Sequence, residues 1–178
     1  MCKKLPNYSE IDFIKGVLIL VMIAFHLSAF ADRHLYAKQF VYTFHMPAFL
    51  FLSGYLMNWN KSLRQFAGSM MWLVVPYLLF ESGYILLASV LPIREHLDGL
   101  TLGMFLDKLC LSPLGPYWYL RLLVICGITY YGVFRLVHFE LFLTPLLLLG
   151  LIIYAYGQLL RLFPLAYGMY YFAGVVLR

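Results

Sequence analysis

Charge is scarce in this sequence. Asp and Glu number 8 and Lys and Arg 13, so charged residues make up 12% of 178. So few ionic groups cannot give a folded chain a polar surface on all sides. The net charge of +5 does not point to nucleic acid, because the basic residues are scattered between apolar segments instead of gathered on a stripe. They read as topology signals and headgroup contacts. Cysteine is sparse too: Cys2, Cys110 and Cys126 form no CxxC or other ligand spacing, which argues against a disulfide framework or a zinc site. His, Asp and Glu are too dispersed for a metal cluster to be read from spacing, and no metal is assigned. Low-complexity tracts and internal repeats are also missing.

What the chain has in excess is apolar length. Hydrophobic residues make up 63% and the mean hydropathy is +0.84, the composition of an integral membrane protein whose solvent is the bilayer. A helix needs about 20 residues to cross the hydrocarbon. About six runs approach this: 13–31, 40–57, 66–91, 117–137, 141–157 and 162–177. They are apolar at consecutive positions, unlike the alternating strands of a β-barrel. The expected fold is therefore all-α, a polytopic transmembrane helix bundle of about six spans. The last two runs are short, and a broken or re-entrant pair is an alternative. Pro47, Pro76, Pro145 and Pro164 fall inside the runs, where proline removes a backbone donor and tends to kink a helix.

Lys3, Lys4, the first apolar core and the "AFA" of Ala29 to Ala31 loosely match a secretory signal, but Glu10 and Asp12 spoil the basic leader. Placing the N-terminus in the cytoplasm puts Lys3, Lys4, Lys15, Lys61, Arg64, Arg135 and Arg178 inside. Arg33, Lys38, Arg94, Lys108 and Arg161 then lie outside, so the bias favours this orientation. The long loop 92–116 becomes external.

An ionised group deep in the bilayer costs several kcal/mol unless paired or hydrated, on the order of 3. Lys15, His26, His45, Glu81 and Arg121 therefore stand out. Lys15 and His26 are eleven residues apart, which at about 100° per residue puts them on one helix face and roughly 16 Å apart in depth. His26 and His45 each lie five residues inside their runs, roughly 7 to 8 Å below the outer boundary. The short loop 32–39 makes the two runs antiparallel neighbours, so the histidines could face one another. Arg121 enters from the same side. Each residue also has a plain structural reading. Lys15 can snorkel to lipid phosphate, a histidine can hydrogen-bond between helices, and Glu81 and Arg121 can neutralise each other. Tyr117, Trp118 and Tyr119 fit an interfacial aromatic belt, and Ser53 with Gly54 suits close helix packing.

Taken together, "IDFIKG" at Ile11 to Gly16, His26 after ten intervening residues and "FHMPAFLFLSGYL" at Phe44 to Leu56 resemble the acyltransferase type 3 family. The fucose 4-O-acetylase-like branch is the most similar. The family's pattern of a basic residue, ten residues, then histidine fits Lys15 and His26, and its phenylalanine-rich Ser-Gly pattern fits Phe49, Phe51, Ser53 and Gly54. "YWYL" at Tyr117 to Leu120 is similar to a later aromatic patch. An Arg-x-Arg pair found in some relatives is absent, Arg64 being followed by Gln65 and Phe66.

The resemblance implies a multi-spanning enzyme that moves an acyl group, commonly acetyl from acetyl-CoA, to a carbohydrate hydroxyl on a cell-surface polysaccharide or glycolipid. It implies a bacterial inner membrane location. Its partners would be acyl-CoA, the carbohydrate acceptor and the lipid bilayer. Such enzymes have nearly twice as many helices, so residues 1–178 read as an incomplete N-terminal part of a larger domain, to be completed by a C-terminal part or a partner chain.

Acyl transfer from a thioester to an alcohol needs a base for the hydroxyl proton, the role assigned to the imidazole of His26; a covalent acyl-histidine route is the alternative, which nothing in the sequence selects. The tetrahedral intermediate needs a donor or cation, for which His45 and Arg121 are placed by depth. Lys15 would meet the acyl-CoA phosphates as a point charge, and the resemblance puts Ser53 on the same donor side. Two other readings use the same residues: a non-enzymatic polytopic protein, transporter-like or an assembly subunit, and an inactive truncated remnant of the enzyme.

Overall fold

Helix α1, Ser9–His26, carries Glu10 and Asp12 in its first turn, where carboxylates complement the positive end of the helix dipole. The computed structural model describes residues 9–58, 60–91, 95–136, 143–160 and 162–177, without the side chains of His26, Ser28, Ala29, Pro116 and Leu136. A bend at Leu27 separates α1 from the one-turn helix α2, Ser28–Ala31, so the first apolar run is two pieces. Helix α3 spans Leu35–Leu56 and α4 spans Leu63–Val90. The start of α4 is fixed by a capping box in which Ser62 Oγ accepts from Gln65 N–H and the Gln65 amide oxygen accepts from Ser62 N–H, so each group satisfies a donor that the helix leaves free.

The loop expected between the third and fourth runs contains a helix of its own, α5, Leu102–Cys110. Thr101 Oγ1 caps it by accepting from Met104 N–H at 3.2 Å. A 3-10 turn at Gly115–Tyr117 then leads into α6, Trp118–Leu136. Helices α7, Leu143–Gln158, and α8, Leu165–Val176, complete the chain. All of the regular structure among the described residues is helical.

Each of the six apolar runs is thus helical, the first as two helices, though only α4 is, among the described residues, both long and apolar enough to cross a bilayer by itself. At 1.5 Å per residue α7 and α8 reach about 24 and 18 Å, less than the roughly 30 Å hydrocarbon thickness. Two of the four expected proline kinks are corrected. Pro47 and Pro76 do lie inside α3 and α4. Pro145 instead occupies the first turn of α7, and Pro164 is the residue before α8. At a helix start no intrahelical N–H bond is lost, so these prolines begin helices without bending them.

The core is built from α3, α6, α7 and α8: Leu50, Leu122, Cys126, Leu149, Ile153 and Tyr171 are all buried together. The closest approach is between α3 and α8. A Cβ on Gly54 would run into the backbone carbonyl of Tyr171, and one on Gly174 would run into that of Phe51. One glycine from each helix, each set against the backbone of the other, lets the helix backbones touch. Helix α4 meets α6 through the stacked rings of Phe66 and Tyr131, 4.0 Å apart. The outward faces are apolar, with Trp72, Leu79 and Val90 of α4 and Phe13 and Leu20 of α1 exposed.

Candidate functional site

The C-terminal end of α1 is held against α3 by a tyrosine. Tyr42 Oη donates to the Phe25 carbonyl at 3.0 Å, one of the last carbonyls of α1, which have no intrahelical partner. The Tyr42 ring lies 5.5 Å from that of His45. Tyr42 therefore joins the backbone next to His26 to the side chain of His45. The His26 side chain itself lies outside the described residues.

His45 is buried, at 5% exposure. Its Nδ1 is 2.9 Å from the Val41 carbonyl; a carbonyl can only accept, so in the neutral ring Nδ1 carries the hydrogen and Nε2 presents its lone pair. Nε2 has no hydrogen-bond partner among the described residues. The side chain lines a small cavity of about 10 Å³ with Leu18, Ile19 and Met22 of α1, Met46 and Phe49 of α3 and Tyr119 of α6, room for about one water molecule. A buried, unpartnered ring nitrogen beside a space is arranged to accept a hydrogen bond from something that enters it.

Lys15 stands on α1 with a half-buried side chain and makes no ion pair with a carboxylate among the described residues. Of the two small residues in the motif, Ser53 donates its hydroxyl to the Phe49 carbonyl of its own helix at 2.8 Å. Gly54 makes the close contact with α8. The Ser-Gly step therefore serves packing through its glycine, and the hydroxyl next to it is turned back to the backbone.

Glu81 and Arg121 do not form the expected ion pair. Glu81 is fully buried on α4; its Oε1 accepts from Leu114 N–H at 2.6 Å and its Oε2 has no hydrogen-bond partner among the described residues. Arg121 on α6 donates to the carbonyls of Cys110, at 2.7 Å, of Leu111 and of Leu162. These carbonyls end or just follow α5 or precede α8, where the backbone has acceptors to spare. The physical reason for the missing pair is that the intervening α5–α6 loop offers each charge a backbone partner of opposite polarity. Arg121 does not line the cavity of His45; it heads a separate cleft with Trp118 and Tyr167.

Sequence reasoning missed the number of side chains that hold this loop. Tyr77 Oη donates to the Leu109 carbonyl at 2.6 Å, and Glu95 accepts from Gly115 N–H at 2.9 Å. Gly115 has a φ of +61°, a conformation that suits glycine. The dipeptide "GP" at Gly115 and Pro116 was the available signal for a turn. No group of three or more His, Cys, Asp or Glu among the described residues is placed to hold a metal ion.

Helices with apolar outward faces, one of them long and apolar enough to cross a bilayer, buried polar groups at helix junctions and a histidine lining a cavity define, among the described residues, a class of helical protein with an internal polar site. The acyltransferase 3 family, described by its acyltransferase domain, matches residues 8–178, and the chain belongs to it. Members of this family are membrane proteins. The chain is also similar to nodulation protein NolL of Sinorhizobium fredii (strain NBRC 101917 / NGR234), with 29% identity over 120 residues. The matched segment covers 61% of this chain and 32% of that relative, so the chain spans about a third of the relative's length. No solved structure matches.

Proposed function

We propose that the chain is the N-terminal part of a multi-pass membrane O-acyltransferase of about six spans that moves acetyl, or another acyl group, from acyl-CoA to a carbohydrate hydroxyl. The observation that carries this reading is the link Phe25–Tyr42–His45. It sets the end of the basic-residue-to-histidine motif on α1 beside a second histidine whose Nε2 faces a cavity. The family membership supplies the reaction class.

In this mechanism neutral His26 takes the proton of the acceptor hydroxyl as its oxygen bonds to the thioester carbonyl carbon. The tetrahedral intermediate then collapses, the C–S bond breaks, and the CoA thiolate leaves and takes the proton from the imidazolium. His45, held by the Val41 carbonyl, orients the incoming hydroxyl through its lone pair, or donates to the oxyanion when protonated. Lys15, with no contact ion pair among the described residues, meets the phosphates of acyl-CoA from the cytoplasmic side of a bacterial inner membrane. Ser53, its hydroxyl bonded to the Phe49 carbonyl, is assigned to the donor side by its place in the motif alone. Arg121, anchored on three carbonyls, acts away from the carbonyl under attack.

The test is a proteoliposome assay of the full chain with radiolabelled acetyl-CoA and a panel of sugars. Labelled sugar together with free CoA is the expected outcome. Ion or solute flux without donor consumption would replace this reading with that of a transporter-like protein. Neither transfer nor flux would fit an inactive remnant.

A further inference from the structure

We propose that the cleft headed by Arg121 and walled by Trp118 and Tyr167 binds a hydroxylated ring bearing a carboxylate or phosphate group. That this ring is the acyl acceptor rests on the acyltransferase reading; that the cleft binds it does not.

The cleft lies between the α5–α6 loop and the α7–α8 connection and has a volume of about 680 Å³, within the roughly 300 to 1,000 Å³ of small-molecule sites. The guanidinium at its head has its orientation fixed by Cys110, Leu111 and Leu162. Of the five N–H donors an arginine carries, these contacts take three at most, which leaves at least two. All the partners are neutral carbonyls, and no carboxylate among the described residues pairs with Arg121. The carboxylate on the neighbouring helix, Asp107, accepts from Ser112 Oγ at 2.8 Å instead. The site therefore offers a fixed cation that Glu81 attracts through space but no carboxylate contacts among the described residues, with donors to spare, the arrangement that recognises carboxylate or phosphate.

The walls select the rest of the ligand. Trp118 and Tyr167 meet at 4.8 Å with their planes 47° apart, an angular pair with apolar faces against which the C–H side of a saturated ring packs. Ser112 and Gln158 border the same space and can hydrogen-bond to ring hydroxyls. Loop capping explains the three carbonyl bonds of Arg121, but it leaves the charge, the spare donors and the aromatic walls unused.

The test is saturation-transfer NMR on the full chain in phosphatidylcholine nanodiscs, which present no net anionic lipid. Glucose, glucuronate and glucose 6-phosphate are compared as probes. Both anionic sugars should bind about tenfold more tightly than glucose, and Arg121→Gln should remove that advantage. A preference for one of the two anions tells carboxylate from phosphate. Tyr167→Leu leaves the carbonyl anchors of Arg121 intact and should abolish binding of all three sugars, so the proposal stays testable if Arg121→Gln does not fold. Equal binding of glucose and the anions overturns the proposal, as does a folded Arg121→Gln or Tyr167→Leu protein that binds glucuronate and glucose 6-phosphate like the parent. These readouts involve no acyl-CoA: anion binding without transfer would count against the enzyme reading alone, and transfer to sugars without anion preference would count against the cleft alone.

Discussion

Glu81 and Arg121, opposite charges on α4 and α6, hold the same short loop by its opposite polarities. The carboxylate takes the N–H of Leu114 at 2.6 Å, and the guanidinium takes the carbonyls of Cys110 and Leu111. Each charge fixes the loop without touching the other.

From this follows a stability prediction. Glu81→Gln retains an oxygen for Leu114 N–H and should shift thermal unfolding in detergent little. Glu81→Ala leaves that half-buried donor unpaired and should cost about 1 kcal/mol or more. Equal unfolding temperatures for the two variants would mean that Leu114 is held by something else.

His45→Leu separates packing from chemistry. The substitution removes a buried nitrogen that has no partner among the described residues and fills the site with an apolar side chain, so stability should stay within about 1 kcal/mol of the parent or rise. Acyl transfer should nevertheless fall by about tenfold or more. Full activity in a stable His45→Leu protein would assign the histidine to packing.

His26→Ala should lower transfer by about 10² to 10⁴ while insertion into the membrane is unchanged. The measurement is release of CoA from acetyl-CoA in proteoliposomes, with western detection of the inserted chain. Parent rates in this variant would remove the base from the mechanism.

Lys15→Ala should raise the KM for acyl-CoA by about tenfold with kcat little changed, and Lys15→Arg should restore much of the loss, because the charge is what meets phosphate. A KM that does not move in either variant returns Lys15 to the lipid interface.

Gly54→Val should be more harmful than any of these to folding. Its side chain would have to displace the backbone of Tyr171, and overpacking against flexible side chains alone already costs about 1 to 3 kcal/mol. Protease sensitivity of the membrane-inserted chain reads the effect.

Hydrophobic length made the positions of the main helices legible, because burial of backbone polar groups over an apolar run leaves the helix as the available solution. The ends were less legible. Helix α4 begins at Leu63, ahead of the apolar run that starts at Phe66, because the Ser62 and Gln65 capping box starts it. Capping follows local hydrogen bonding that hydropathy does not register. Helix α5 was hidden because its nine residues carry Asp107 and Lys108 and are too short to show as a span.

The site was legible in its residue types and not in its pairings. His45 stands out in the sequence as a polar residue in an apolar run, and the structure adds the carbonyl that orients its ring. Glu81 and Arg121 form a complementary pair of charges in the sequence, yet charge complementarity along a sequence says nothing of a loop folding between them. Tyr42, which connects the two motif helices, carried no signal among 15 tyrosines.

The glycine contacts between α3 and α8 have a mechanical consequence. Where backbones meet directly there are no rotamers to readjust, so the two helices cannot slide past each other by small steps and must travel as one rigid keel. A substrate that pushes α1 outward would therefore strain its Tyr42 tether while the keel stays in place, and the opening of the histidine cavity would be a movement of α1 alone.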